Sequence, residues 1–281
     1  MNFQELVNTI ESLPPLSDST LLIQKLYSNG AHNVNIVRLT KIIESDVLLS
    51  ANILRMINVP AYGFYRQITS VAQAVTLFGT QTIFALVVSY AMHEKLVANL
   101  RPYGITNDKF NDICHLQSTL LTQWYAKIDL KRAQFLAPLA LLMEVGKLVL
   151  AKVITQEGKI KEFKDGLLKS DNMVAYEDSY FGTSSYYVGA LLFDHWNLEP
   201  LYVQMLKGLD YERDYSPKLQ EYIEILDVIR EAINVKEILT NESIQNASKM
   251  VTLMGLDASY FESVARRVKQ TYIQNSDKRE A

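Results

Sequence analysis

Apolar residues recur at three- and four-residue spacing along nearly the whole chain, and this period constrains the fold more than any other feature. In 46-DVLLSANILRMIN-58, Leu49, Ile53, Leu54 and Ile57 fall on one face of a helix, whereas a strand would require strict alternation. Only 11 Gly and 7 Pro interrupt the 281 residues. The sequence therefore predicts an all-α protein with about a dozen helices.

Several polar residues and glycines predict where helices begin and end. Asn33, Ser70 and Ser243 each precede or open an apolar run and are predicted N-caps. Gly79 and Gly255 follow such runs and are predicted helix ends, because glycine reaches the left-handed conformation at little cost.

Turn residues concentrate in 99-NLRPYGITND-108, which predicts a boundary in the helical pattern. We expect an N-terminal helical subdomain at 1–98 and a second subdomain at 107–281, packed together. The stretch 80–97 is apolar for most of its length but polar at its end, so we predict a buried central helix rather than a membrane span.

Charge and cysteine content limit the environment that the chain suits. Lys and Arg number 28 against 31 Asp and Glu, giving a net charge of -3, so no excess of positive charge favours nucleic acid or an anionic membrane. The start lacks a basic and then apolar leader, and Cys114 is the single cysteine. We expect a cytoplasmic protein that binds neither nucleic acid nor membrane.

Two sets of motifs stand out in this sequence. The first set is LPPL at 13–16, Asp46-x-x-Leu-x-x-x-Ile-Leu-Arg, and the run 57–83 with its Asn, small-Tyr-Gly turn and Ile-x-Ser. The second is the helix with the signature MEVGK within 136–150 and a Gly-led helix within 181–200. Together these motifs resemble the HDOD domain, a branch of the HD superfamily of metal-dependent phosphohydrolases. The resemblance spans about residues 13 to 210 and implies a multi-helical HD-domain-like bundle with an N-terminal helical subdomain.

In an HD enzyme, histidines and a His-Asp pair collect one or two metal ions, and a lysine lies beside the substrate. The resemblance places these roles on other residue types in this chain. The corresponding positions, which we treat as a relic site and a candidate ligand or partner cleft, are Gln117, Met143, Glu144, Lys147, Ser185, Leu209 and Asp210. The resemblance therefore implies that every metal-binding histidine is replaced.

Residue chemistry leads to the same expectation without the alignment. The four histidines, at 32, 93, 115 and 195, show no paired spacing that places two ring nitrogens on one ion. The thioether at Met143 is too soft for ions that polarise phosphoryl oxygens. Without a metal to lower the pKa of a water from ~16 towards ~7, hydroxide is scarce at neutral pH. We expect no catalytic residue, no metal and no cofactor.

Other residue groups have competing interpretations. Lys147 could bind a phosphate, extend its ammonium into water, or pair with Glu144 three residues earlier. The adjacent Asp194 and His195 favour a structural role over a metal centre, and Cys114, amid apolar residues, an inert thiol. A dense aromatic cluster could pack in a core or anchor a partner: Tyr176, Tyr180, Phe181, Tyr186 and Tyr187.

These expectations lead to one main functional hypothesis and two alternatives. The first is a non-catalytic bacterial signalling, regulatory or scaffolding protein that acts through protein partners, by resemblance in motility, biofilm or cyclic-dinucleotide pathways. We expect no separate receiver, kinase or cyclase segment in the remaining sequence. The alternatives are a metal-dependent phosphohydrolase with a site rebuilt from Glu144, Asp194 and Asp210, and a nucleotide sensor that uses the relic cleft.

Overall fold

A computed structural model describes residues 3–27, 33–210 and 215–280, and in these ranges the secondary structure is helical. The predicted all-α class is confirmed. The helices are α1 (Phe3–Glu11), α2 (Asp18–Tyr27), α3 (Ile36–Ser45), α4 (Val47–Ile57), α5 (Val71–Lys95), α6 (Asn107–Tyr125), α7 (Leu130–Leu142), α8 (Gly146–Gln156), α9 (Ile160–Lys169), α10 (Met173–Phe181), α11 (Ser185–His195), α12 (Pro200–Leu209), α13 (Pro217–Ala232), α14 (Asn241–Leu253) and α15 (Ala258–Glu280).

The chain packs as two compact units, each assembled from three segments. Unit 1 contains residues 1–15, 95–114 and 143–259. Unit 2 contains residues 16–94, 115–142 and 260–281. The expected subdomains at 1–98 and 107–281, packed together, stay a prediction.

The helix α4 of unit 2 shows how the apolar period becomes a core. Leu49, Ile53 and Ile57 are buried, and Leu54 on the flank of the stripe is half-buried. The helix begins after Asp46, whose carboxylate accepts a hydrogen bond from the Leu49 backbone N–H at 3.0 Å. This capping satisfies one of the N–H groups that the first helical turn leaves without a partner.

Two predicted N-caps are wrong. Helix α3 is capped by Asn35 and not by Asn33, because the Asn35 side chain accepts from Arg38 N at 2.9 Å. Helix α14 is capped by Thr240, whose hydroxyl accepts from Ser243 N at 3.0 Å. In each case a second polar residue lies two or three positions from the cap, and sequence spacing does not separate the two.

Three other helix ends are confirmed. Ser70 precedes α5, and its hydroxyl accepts from Gln73 N at 3.2 Å. Gly79 has a φ of 75° and interrupts the helical conformation within α5. Gly255, with a φ of 72°, follows α14. Both glycines adopt the conformation that other residues avoid.

Helix α5 carries the apolar stretch predicted as a buried central helix. Among the described residues it is the one helix long and apolar enough, with a mean hydropathy of 1.7 over its best window, to pass a length-and-composition test for a membrane span. Its second half is mostly buried within unit 2, including Ile83, Leu86 and Met92. A core helix of a globular domain has this pattern, and the prediction of a buried helix is confirmed.

Helices α8 and α11 approach each other closely inside unit 1 at Gly146. A Cβ atom at this position would lie 1.8 Å from the backbone oxygen of Ser185 and 2.8 Å from the backbone nitrogen of Gly189. Only glycine fits such a backbone contact. The contact holds Ser185 against the first turn of α8 and so positions the residues described next.

Candidate functional site

The signature MEVGK occupies the connection between α7 and α8 and not the interior of one helix, so that part of the sequence prediction is wrong. Met143, Glu144 and Val145 form a turn, and α8 begins at Gly146. The turn continues into the helix through the backbone N–H of Lys147, which donates to the Glu144 carbonyl at 3.0 Å. Glu144 lies in the turn and Lys147 in the first turn of α8, and both side chains point into the interior of unit 1.

Lys147 and Glu144 form an ion pair in the interior of unit 1. The Lys147 ammonium contacts the Glu144 carboxylate, and neither side chain has any solvent exposure. The ammonium also donates to the Ser185 hydroxyl at 3.0 Å, and the Tyr186 hydroxyl donates to Glu144 Oε1 at 3.1 Å. Of the three interpretations of Lys147, pairing with Glu144 is confirmed and an ammonium in water is wrong.

A second carboxylate, that of Glu177 in the middle of α10, supports this arrangement. Glu177 is fully buried, and it accepts from the Ser185 backbone N–H at 2.7 Å and from the Tyr103 hydroxyl at 2.8 Å. The negative charge thus lies at the N-terminus of α11, where the helix dipole favours it. Glu177 has no distinctive sequence context, and sequence reasoning did not find this role.

The pKa values of these buried groups depend on their burial and on the charges beside them. Burial lowers the pKa of Lys147, but the neighbouring carboxylates, above all that of Glu144, raise it by more, so the net shift is upwards and the ammonium stays charged. Burial raises the pKa of Tyr186, and the adjacent Glu144 raises it further. Burial and Glu177 likewise raise the pKa of Tyr103. Both phenols therefore stay neutral and serve as hydrogen-bond donors.

Arg230 on α13 brings a second cation to the same cluster. Its guanidinium donates to the Leu209 carbonyl at 2.6 Å, pairs with Asp227 at 2.6 Å, and lies with its carbon 5.0 Å from the centre of the Tyr186 ring. Lys147 Nζ lies 4.6 Å from that ring. We call Tyr103, Glu144, Lys147, Glu177, Ser185, Tyr186 and Arg230 the polar cluster of unit 1.

The predicted relic positions divide between the units. Gln117 is fully buried in α6, in the part of that helix that belongs to unit 2. The other positions lie in unit 1, where Glu144, Lys147 and Ser185 contact one another. Met143 and Leu209 are fully buried, and Asp210 ends α12. Whether a ligand or partner enters among these residues stays a prediction.

The donor chemistry of these positions does not fit the metal site of an HD enzyme. The Glu144 carboxylate already contacts an ammonium, and a cation at that position would repel a metal ion. Met143 and Leu209 offer a thioether and an alkyl group, which hard cations do not bind. Within the described ranges, no three His, Cys, Asp or Glu side chains converge in a way that could hold a metal.

The histidines covered by the structure have structural contacts. Nε2 of His195 lies 3.1 Å from the Leu13 carbonyl oxygen, and the neighbouring Trp196 Nε1 donates to the Pro14 carbonyl at 3.2 Å. The end of α11 thus holds the LPPL segment, which favours the structural interpretation of the Asp194 and His195 pair. His32 lies outside the described residues.

His115 and Cys114 are buried, and His93 is half-buried. Nδ1 of His115 lies 2.8 Å from the Tyr62 hydroxyl oxygen, and Nδ1 of His93 lies 2.8 Å from the Ser89 carbonyl oxygen. Burial lowers the pKa of His115 to about 3, so its ring stays neutral. Burial raises the pKa of the Cys114 thiol, which supports the prediction of an inert cysteine.

Most of the aromatic cluster packs within unit 1. The Phe163 ring lies 5.2 Å from both Tyr176 and Tyr180 and 5.8 Å from Phe181, centre to centre. These separations are typical of aromatic pairs in cores. Tyr187, which is half-buried, lies 5.9 Å from the Phe3 ring. Phe163 and Phe181 are buried, whereas Tyr176 and Tyr180 are half-buried. Core packing therefore accounts for part of this cluster, and a role in binding a partner stays a prediction.

Comparisons with known proteins agree with this fold. A family model, the HDOD domain, matches residues 13–208. No curated protein matches the sequence significantly. Solved structures do: a virulence factor from Campylobacter jejuni is 24% identical with a TM-score of 0.56, the match covering 93% of this chain and 95% of that one.

Two further structures extend the comparison. An HDOD domain protein of unknown function from Geobacter sulfurreducens is 17% identical with a TM-score of 0.60, over 97% of this chain and 94% of that one. A candidate signal transduction protein from Marinobacter aquaeolei is 19% identical with a TM-score of 0.68, over 96% of this chain but 60% of that one. At these identities the likeness shows the fold.

Proposed function

The chain belongs to the HDOD family, and on that premise we propose that it is a non-catalytic bacterial protein of signal transduction, which regulates or scaffolds other proteins in the cytoplasm. The pathways that the proposal includes are motility, biofilm formation and cyclic-dinucleotide signalling. The protein exerts its effect through contacts with protein partners.

One observation carries the non-catalytic part of this proposal: the Lys147 ammonium contacts Glu144 where an HD enzyme has its His-Asp pair and metal. A hydrolase of this class needs a metal to generate hydroxide at neutral pH. Here the cation is a lysine, which has no bound water to activate. The hydroxyl of Ser185, in place of a histidine, donates no imidazole nitrogen and instead accepts from the same ammonium.

The signalling part of the proposal is supported by the family and by related proteins. The Marinobacter aquaeolei protein is described as belonging to signal transduction and is longer than this chain. A scaffold without catalysis transmits a signal by binding, so we propose a protein partner. The net charge of -3 gives no general attraction for nucleic acid or anionic membrane.

Phosphodiester hydrolysis tests the non-catalytic part directly. We expect wild type and the double variant Met143→His, Glu144→Asp to show no turnover of bis-p-nitrophenyl phosphate or cyclic di-GMP with added Mn²⁺ or Fe²⁺. Met143→Leu is the matched control, because it keeps an apolar side chain at the same buried position. Metal-dependent turnover by wild type would overturn the proposal in favour of a rebuilt phosphohydrolase site.

The signalling part requires a test in the native bacterium. We expect deletion of the gene to change swimming motility or biofilm mass, and complementation with wild type to restore it. The double variant Glu144→Gln, Lys147→Met should restore it as well if it folds, because the polar cluster is structural in this proposal. A deletion strain that matches its parent in both phenotypes and in cyclic di-GMP level would contradict it.

A further inference from the structure

Unit 2 contains a cavity of about 750 Å³ that the proposed function does not use. This size falls in the range of small-molecule sites, about 300 to 1,000 Å³. Part of its wall comes from the HDOD-like motifs themselves, including the Leu-Arg end of α4 and the Asn-x-Pro turn. The lining residues are Ala51, Leu54, Arg55, Asn58, Val59, Pro60, Phe64, Arg66, Gln67, Ile68, Thr69 and Asn275.

The charge of this lining is uniformly positive. Arg55 and Arg66 contribute guanidinium groups, and the lining contains no Asp or Glu. Arg55 Nη2 donates to the amide oxygen of Asn52 at 2.8 Å, and this partner is neutral. Guanidinium groups are well suited to phosphate oxygens, which they can bind in a bidentate manner.

One aromatic ring offers an apolar surface at the same cavity. Phe64 is 42% exposed, and its ring lies 5.6 Å from Phe78 and 6.4 Å from Tyr62, centre to centre. These neighbours pack against the ring, and the side chain keeps its accessible surface beside them. An exposed, supported ring of this kind can stack on a nucleobase.

The backbone around the cavity is held by specific contacts. Asn58 donates to the Ile68 carbonyl at 2.9 Å and accepts from the Ile68 N–H at 2.8 Å, which fixes the loop that carries Phe64 and Arg66. Asn275 on α15 donates to the Pro60 carbonyl at 3.3 Å. The loop therefore presents its arginine and its aromatic ring from a braced framework, which reduces the cost of ordering them when a ligand binds.

We infer that this cavity is a binding site for a nucleotide, with the phosphate on Arg55 and Arg66 and the base against Phe64. The inference is independent of the proposed function, because it uses no residue of the polar cluster in unit 1. A site of this kind would let a small phosphorylated ligand stabilise the folded state of unit 2.

Isothermal titration of the full chain with GMP, AMP, ribose 5-phosphate and inorganic phosphate tests this site. We expect saturable binding of at least one nucleotide, about tenfold tighter than ribose 5-phosphate, which lacks the base. Arg55→Gln and Arg66→Gln should each weaken nucleotide binding about tenfold. Phe64→Leu should bring the nucleotide to the affinity of ribose 5-phosphate and leave ribose 5-phosphate binding unchanged.

Arg38→Gln is the matched control, since Arg38 is exposed on α3 of the same unit and does not line the cavity. It should bind as wild type does. Circular dichroism melting of each variant verifies folding. Absence of saturable binding of both nucleotides at millimolar concentration, or equal affinity in wild type and the two arginine variants, would overturn the site. The same titration is carried out with a hexaglutamate peptide. If this peptide bound more tightly than GMP and the arginine variants lost that binding, the site would be assigned to an acidic peptide and not to a nucleotide.

Discussion

Lys147 and Glu144, three residues apart, form an ion pair at positions where neither side chain touches solvent. The pair extends through Ser185 and Tyr186 into a hydrogen-bonded network within unit 1. Buried charges of this kind are tolerated only when each has its partner, because desolvation of an isolated charge costs far more than a hydrogen bond returns.

The first prediction concerns the loss of one member of this pair. Lys147→Met should lower the free energy of unfolding by about 3 to 5 kcal/mol, because it leaves the Glu144 carboxylate buried without a cation. The double variant Glu144→Gln, Lys147→Met should be more stable than the single variant. Urea unfolding measures both. Lys159→Met is the control, since Lys159 is 46% exposed beside Glu157 and should leave the midpoint unchanged. Equal stability of wild type and Lys147→Met would contradict the ion pair.

The second prediction concerns the contact between α8 and α11. Gly146→Ala should lower the free energy of unfolding by more than about 4 kcal/mol or abolish folding, because the new Cβ would lie 1.8 Å from the backbone oxygen of Ser185. Gly189→Ala is the matched control, because its nearest contact would be an ordinary 3.7 Å to Leu206. Thermal melting of the two variants should separate them clearly. A Gly146→Ala variant as stable as Gly189→Ala would show that the helices are farther apart.

The third prediction concerns acid sensitivity in unit 2. The pKa of His115 is lowered by burial to about 3, whereas an unfolded chain protonates histidine near pH 6.5. Between these values the unfolded state binds the extra proton, so stability should fall by about 1.4 kcal/mol per pH unit as the pH drops below about 6.5. Urea unfolding at several pH values measures the slope, which should be smaller in His115→Asn.

Tyr62→Phe is the control for that slope. It removes the hydroxyl that lies 2.8 Å from His115 Nδ1 but keeps the ring that packs against the imidazole. We expect a loss of about 1 kcal/mol at pH 7 with the pH slope retained. If the free energy of unfolding had the same pH dependence in wild type and in His115→Asn, His115 would bind protons equally in the folded and unfolded states, which would contradict the prediction.

The fourth prediction distinguishes the two asparagines before α3. Asn35→Ala should lower the free energy of unfolding by about 1 kcal/mol, because its side chain caps the helix through Arg38 N. Asn33→Ala should have little effect. Chemical denaturation of the pair measures the difference, and a larger loss at Asn33 would restore the cap expected from the sequence.

The sequence predicted the elements that depend on repeated local patterns. The stripe on α4 and the ends at Ser70, Gly79 and Gly255 each follow from a period or from a conformation that few residues adopt. The N-caps at Asn35 and Thr240 were missed because competing polar residues lie nearby. Which of two such residues caps a helix depends on where tertiary packing starts the first turn, and local spacing does not contain that information.

The candidate site was predicted only in part, for a similar reason. The Glu144 and Lys147 pair follows from their spacing of three residues. The roles of Tyr103 and Glu177 depend on residues 74 positions apart in the chain that meet in unit 1. Such a long-range hydrogen bond leaves no periodic signal in a single sequence. The cavity of unit 2 likewise combines α4, a loop and α15, and only the folded chain brings Arg55, Phe64 and Asn275 to one place.

The ammonium at the centre of the polar cluster is attached to the backbone by covalent bonds. A metal cofactor is acquired after synthesis and is lost to chelators or to scarcity in the cell, whereas a lysine is present in every copy as soon as translation ends. The charge of the Glu144 carboxylate is therefore compensated by a residue of the sequence itself. Every copy of the chain carries this cation from the moment it folds, and the ion pair needs no ion taken up by the cell.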